Sequence, residues 1–150
     1  MADRVSASIT VGGTVTPAAC SELAEVIASE DLSTEWDGDP FKPDQRTEGE
    51  PLRLFAHEVA WGRFEELEAW CFEHRIPFAR WSGAYGGEWG AERVVFTGSG
   101  EPISYAADED DRVMIDRDTA EWLGSIDAIR AYFDAAEFEV PPLVVESEPS

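Results

Sequence analysis

Two histidines and two cysteines are the chain's whole supply of imidazole and thiol groups, and only Cys71-x-x-His74 sets one of each at helical spacing. A zinc site asks for three or four such ligands. The pair therefore reads as a packed thiol with an imidazole at the end of an apolar helical stripe. His57-Glu58 has the composition of a base and its orienting carboxylate, but adjacent residues on a strand point to opposite faces. Asp108-Glu109-Asp110-Asp111 carries the oxygen ligands that calcium takes, yet Arg112 stands where a third alternating ligand belongs and no central glycine follows. The glycine-rich run Gly83 to Gly90 lacks the Gly-Lys-[Ser/Thr] end of a phosphate loop and holds Glu88. No Gly-x-Ser-x-Gly nucleophile motif is present. We assign no catalytic residue, cofactor or metal from the sequence.

The abundant chemistry is carboxylate. Thirty-two acids against eleven bases give a net charge of −21 over 150 residues. The balance is uneven: −8 over residues 21–50, −2 over 51–100 and −11 over 101–150. A field of this sign repels nucleic acid and anionic membrane surfaces and attracts basic proteins. Three clusters are the candidate binding acids: Asp31, Glu35, Asp37 and Asp39; Glu65, Glu66 and Glu68; and Asp108, Glu109, Asp110 and Asp111. Tyr85 and Trp89, in the glycine-rich loop, are the candidate aromatic anchors, because large aromatics are enriched at interface hot spots. The blander accounts of the charge are solvated helix faces and salt adaptation, the latter in keeping with one lysine against ten arginines.

These residues need a scaffold, and the chain has the means to build one. It is 43% apolar and carries six Trp and eight Phe, which is enough for a core at the length of one domain. Val5 to Val15 alternates as a strand kinked at Gly12-Gly13, and Thr16-Pro17 is a helix start with Thr as N-cap. The helix that follows sets Ala19, Leu23, Val26, Ile27 and Glu30 at helical spacing. Leu32 to Trp36 reads as a short strand and 38–51 as an exposed connection. A strand at Leu52 to Ala56, a helix at Arg63 to His74 and a strand at Pro77 to Trp81 repeat that layout. Glu22-Leu23 and Trp36-x-Gly38 recur as Glu66-Leu67 and Trp81-x-Gly83.

Glu92 to Thr97 and Pro102 to Ala106 form a hairpin around Gly98-Ser99-Gly100, and Arg112 to Ile115 is one more short strand. Asp118 begins a capped helical turn, and Gly124-Ser125 ends it and caps the next helix, whose buried stripe is Ile126, Ile129, Tyr132, Phe133 and Ala136. Leu143 to Val145 is an edge strand beyond Pro141-Pro142. The expected fold is a single α+β domain over 1–150: an antiparallel or mixed sheet with two or three helices mainly on one face. Its N-terminal two thirds fit a ferredoxin-like arrangement, and residues 1–4 and 146–150 are expected as frayed tails.

In size and charge, though in no motif, the chain resembles the nucleic-acid-mimicking anti-restriction and anti-CRISPR proteins. The same bulk properties resemble acidic immunity proteins that neutralise nuclease toxins. The resemblance implies a non-enzymatic inhibitor or adaptor that occludes the basic surface of a nucleic-acid-binding protein without touching nucleic acid or membrane itself. A small carboxylate-based hydrolase is the alternative from another class. No secretory leader or membrane span is evident in the sequence, so a cytoplasmic location is expected.

Overall fold

Strand β1 (Arg4–Val11) turns Ala7, Ile9 and Val11 into the main core, while Ser6, Ser8 and Thr10 face the other way. A computed structural model describes residues 4–36, 38, 41, 49–60, 62–84 and 90–146 of the chain. The expectations placed on Asp37, Asp39, Tyr85 and Trp89 lie outside the described residues. At Gly12-Gly13 the chain leaves the first sheet, with Gly13 at a φ of 106° that L side chains avoid. It then runs as β2 (Gly13–Val15), and Thr16 caps α1 (Pro17–Ser29) by accepting from Ala19 N at 3.1 Å. Helix α1 buries Leu23 and Ile27 against the sheet.

Strand β3 (Leu52–Ala60) pairs antiparallel with one edge of β1, and β4 (Phe78–Ser82) pairs antiparallel with the other. Helix α2 (Glu65–Glu73) connects them and buries Leu67, Trp70 and Cys71. This makes one split β-α-β unit with β1 inserted at its centre. Strands β5 (Glu92–Phe96) and β6 (Ile103–Ala106) extend the sheet as the expected hairpin, giving the order β3-β1-β4-β5-β6. Gly98 and Gly100 hold the positive φ values of its turn.

Both faces of this antiparallel sheet are covered in part. Val94 and Phe96 join the core under α1 and α2, whereas Val95 and Tyr105 face the opposite side and pack on Ala136 and Tyr132. Those two residues belong to α4 (Ile126–Ala136), which follows α3 (Arg117–Leu123). Strand β7 (Leu143–Val145) closes the described chain by pairing parallel with β2. Among the described residues the protein is thus an α+β fold of four helices and a five-stranded antiparallel sheet, with a two-stranded parallel sheet beside it.

Several local expectations change for identifiable reasons. Leu32 to Trp36 contributes only a bridge between Ser33 and Phe55. The Ser33 hydroxyl donates to Gly38 O and Gly38 N donates to Glu35 O, so the chain turns before a strand can extend. The first of the two expected strand-helix-strand units, the one built on α1, is therefore not completed. Arg112 to Ile115 likewise reduces to a bridge between Ala107 and Val113. The cap of α3 is Asp116, whose carboxylate accepts from Thr119 N at 2.8 Å, rather than Asp118. On α4 only Ala136 is buried and Ile126 is 63% exposed, because the helix packs on the sheet through Tyr132 and Ala136 in its C-terminal half. The described chain is hydrogen-bonded at both of its ends. Arg4 opens β1, and Glu146 N donates to Val15 O at 2.7 Å.

Candidate functional site

Helices α1 and α2 lie side by side on one face of the sheet and between them contain Glu22, Glu25, Glu65, Glu66, Glu68 and Glu73 but no lysine or arginine. Their meeting point concentrates charge. Ser29 at the end of α1 donates to Glu66 Oε2 at 2.9 Å. Burial, then the neighbouring Glu66, Glu68 and Glu65, push the Glu30 carboxyl up to about 7. Glu65, Glu66 and Glu68 suit the positive N-terminal end of α2, but Glu30 caps the negative C-terminal end of α1, where an anion is disfavoured. Glu30 was read from the sequence as one more position of a helical stripe; nothing in its spacing announced three glutamates from 35 residues downstream. Exposed Asp31 follows it at a positive φ of 57°, and Glu35 is exposed in the turn beyond.

Glu68 has a different task. Its Oε2 accepts from Phe64 N at 2.7 Å and its Oε1 accepts from Arg80 Nε at 3.2 Å. Arg80 is 2% exposed and also donates to Glu92 Oε1 and Ser82 Oγ. Ser104 donates to the second oxygen of Glu92 at 2.6 Å. Burial pushes the Glu68 carboxyl up against the pull of Arg80. At Glu92 burial acts in the same direction, but the Ser104 and Arg80 hydrogen bonds outweigh it and hold the group low. Glu68 also borders a groove of about 370 Å³ with Glu101, which is where paired carboxylates would do hydrolytic work. Both Glu68 oxygens are already engaged, so the groove offers no free base at that position.

The acids of residues 108–111 sit elsewhere, and most of them build their own loop. Asp108 accepts from the backbone of Asp110 and Arg112 and from the Arg112 side chain, and the Arg112 N–H leads in holding its carboxyl below the usual range. Glu109 accepts from Ala84 N at 2.9 Å, and Asp111 accepts from Arg93 at 2.9 Å on the sheet face opposite α1 and α2. Asp110 is the most solvent-exposed of those in ion pairs, with a 3.4 Å contact to Arg112. The structure therefore brings Glu65, Glu66 and Glu68 together with the unforeseen Glu30, and does not bring 108–111 to them.

On that opposite face a cleft of about 620 Å³ runs between Ser8, Thr10, Arg53 and Phe55 of the sheet and the segment Glu137 to Val140. Arg93 is consumed in holding this wall, donating to Ala136 O, Phe138 O and Asp111. Nearby, Ser6 Oγ lies 2.8 Å from His57 Nδ1, and the Trp36 ring packs 4.9 Å from both Phe55 and His57. Among the described residues no group of three or more His, Cys, Asp or Glu is arranged to hold a metal ion, and no helix is long and apolar enough to cross a membrane.

Sequence reading missed one further feature. Trp122 on α3, which the sequence reading did not single out, is 81% exposed, and Ile126 on α4, which that reading set on a buried stripe, is 63% exposed. No family model, curated protein or solved structure matches the chain.

Proposed function

We propose that this chain is a non-enzymatic acidic inhibitor or adaptor that occludes the basic, nucleic-acid-binding surface of a partner protein, using the α1–α2 layer as its polyanionic face. The observation that carries the reading is the convergence on Glu30. At the end of α1, Glu30 meets Glu65, Glu66 and Glu68 of α2, and burial first, then these neighbouring carboxylates, raise the Glu30 carboxyl to about 7. Folding gains nothing from such crowding, whereas a basic partner would relieve it. Charge complementarity of this kind speeds encounter and rejects wrong partners. The free thiols of Cys20 and Cys71 suit a reducing, cytoplasmic compartment.

The test is capture of the partner from the native host, followed by surface plasmon resonance over a salt series with and without duplex nucleic acid. Association should slow as salt rises, saturating duplex should displace the protein, and Glu65→Arg with Glu66→Arg should together abolish binding. A captured nuclease would make the protein a toxin-neutralising one. Binding indifferent to both salt and nucleic acid would overturn the reading.

A further inference from the structure

Three of the six most exposed large apolar side chains among the described residues lie between 114 and 126: Met114 at 54%, Trp122 at 81% and Ile126 at 63%. Trp122 and Ile126 flank the tight Gly124-Ser125 link between α3 and α4, four residues apart in the chain. The link is held rigidly. Gly124 takes the left-handed conformation and its N–H donates to Ala120 O, and Ser125 Oγ accepts from Ala128 N at 3.1 Å. Asp116 fixes the other end of α3 through Thr119 N. Trp122 is thus presented on a preformed platform, and preorganisation of this kind lowers the cost of binding.

The same stretch of chain carries Asp116, Asp118, Glu121 and Asp127. The one base in this stretch, Arg117, already pairs with Glu121 at 3.0 Å. A second copy of the chain would bring the same acids against these and a further −21 of charge. A partner with an apolar pocket rimmed by lysine or arginine meets both demands. We propose that Trp122 and Ile126 form the anchor by which the α3–α4 hairpin docks into such a pocket on a basic partner. The inference rests on the reading of the chain as a binder of basic proteins and adds where residence time comes from, since Trp is among the residues enriched at interface hot spots.

The probe is a fluorescein-labelled synthetic helical peptide with a leucine stripe flanked by lysines, titrated with the full chain by anisotropy. A leucine–glutamate peptide of the same pattern is the control. Trp122→Ala and Ile126→Ser, both at exposed positions, should keep the wild-type melting temperature and each bind the lysine peptide at least tenfold more weakly, with Glu65→Lys/Glu66→Lys binding close to wild type. Equal binding by wild type and Trp122→Ala, or no binding by wild type, overturns the inference. Loss of binding only in Glu65→Lys/Glu66→Lys also overturns it while leaving the acidic-face reading standing. Comparable binding of the glutamate peptide defeats both. Sedimentation that finds a wild-type dimer and a Trp122→Ala/Ile126→Ser monomer would assign the surface to a second copy and overturn the basic partner.

Discussion

Arg80 Nε stands 3.2 Å from Glu68 Oε1 across the interface between β4 and α2, with the two side chains 3% and 17% exposed. The pair welds the acidic helix layer to the central strand. Replacing one member of such a pair leaves the other charge buried without compensation, at a cost of about 3–5 kcal/mol. Arg80→Leu should therefore lower the melting temperature by roughly 10 °C or more at this chain length, read by far-ultraviolet circular dichroism. The triple change Arg80→Leu/Glu68→Leu/Glu92→Val should recover much of the loss. An unaltered melting curve for Arg80→Leu would show that the pair is not structural.

Glu30 predicts a pH dependence with a definite sign. Its folded carboxyl titrates near 7 against an ordinary 4.5, so between those values the folded state binds more protons than the unfolded one. Stability from this residue is therefore greatest below the ordinary value and falls as pH rises through the folded one. Glu30→Gln should match wild type near pH 4 and exceed it by about 1 kcal/mol at pH 8, a figure discounted for solvent screening of a half-exposed group. Urea unfolding of both proteins at the two pH values reads the difference, and 0.5 M salt should shrink it. A constant difference across pH would contradict the glutamate crowding.

Gly12 is required for space. A Cβ there would fall 1.7 Å from Pro141 O and 2.8 Å from Val140 Cγ1, in the segment that leads into β7. Gly12→Ala should cost about 1–3 kcal/mol or more and speed hydrogen exchange at Gly13 N and Glu146 N, which bond across this junction. Gly90→Ala, where a Cβ meets nothing, should leave exchange at both amides unchanged. Equal exchange in the two variants would mean that β2 and β7 do not depend on the close approach.

The two cysteines should react unequally. Cys71 is fully buried under α2, and burial, then Glu68, push its thiol up to about 12, so almost no thiolate forms at pH 8. Iodoacetamide should modify Cys20, which is partly exposed, and spare Cys71 until denaturant is added. Mass mapping after limited labelling checks this. Rapid native labelling of Cys71 would refute the packing of α2 on the sheet.

Local chemistry is what the sequence by itself determined. Thr16-Pro17, the Gly98-Ser99-Gly100 turn and Gly124-Ser125 fixed their elements because caps and positive-φ turns are satisfied within a few residues. The alternation of Ala7, Ile9 and Val11 did the same for β1, since a strand's two faces follow from a period of two. Helices α1 and α2 were legible from Leu23 and Leu67, which share a role in the core as their matched positions suggested; the matched Trp36 and Trp81 do not, one lying on the surface and the other in β4. The tertiary structure alone decided which carboxylates act together. Glu30 meets Glu65, Glu66 and Glu68 only because both helices pack on one sheet face. Asp108, Glu109 and Asp111 are engaged locally instead, by Arg112, the Ala84 N–H and Arg93. Trp122 stays in solvent because α3 buries none of its residues. An ion's partner, or an aromatic's exposure, depends on contacts between distant segments, and neither composition nor spacing carries that information.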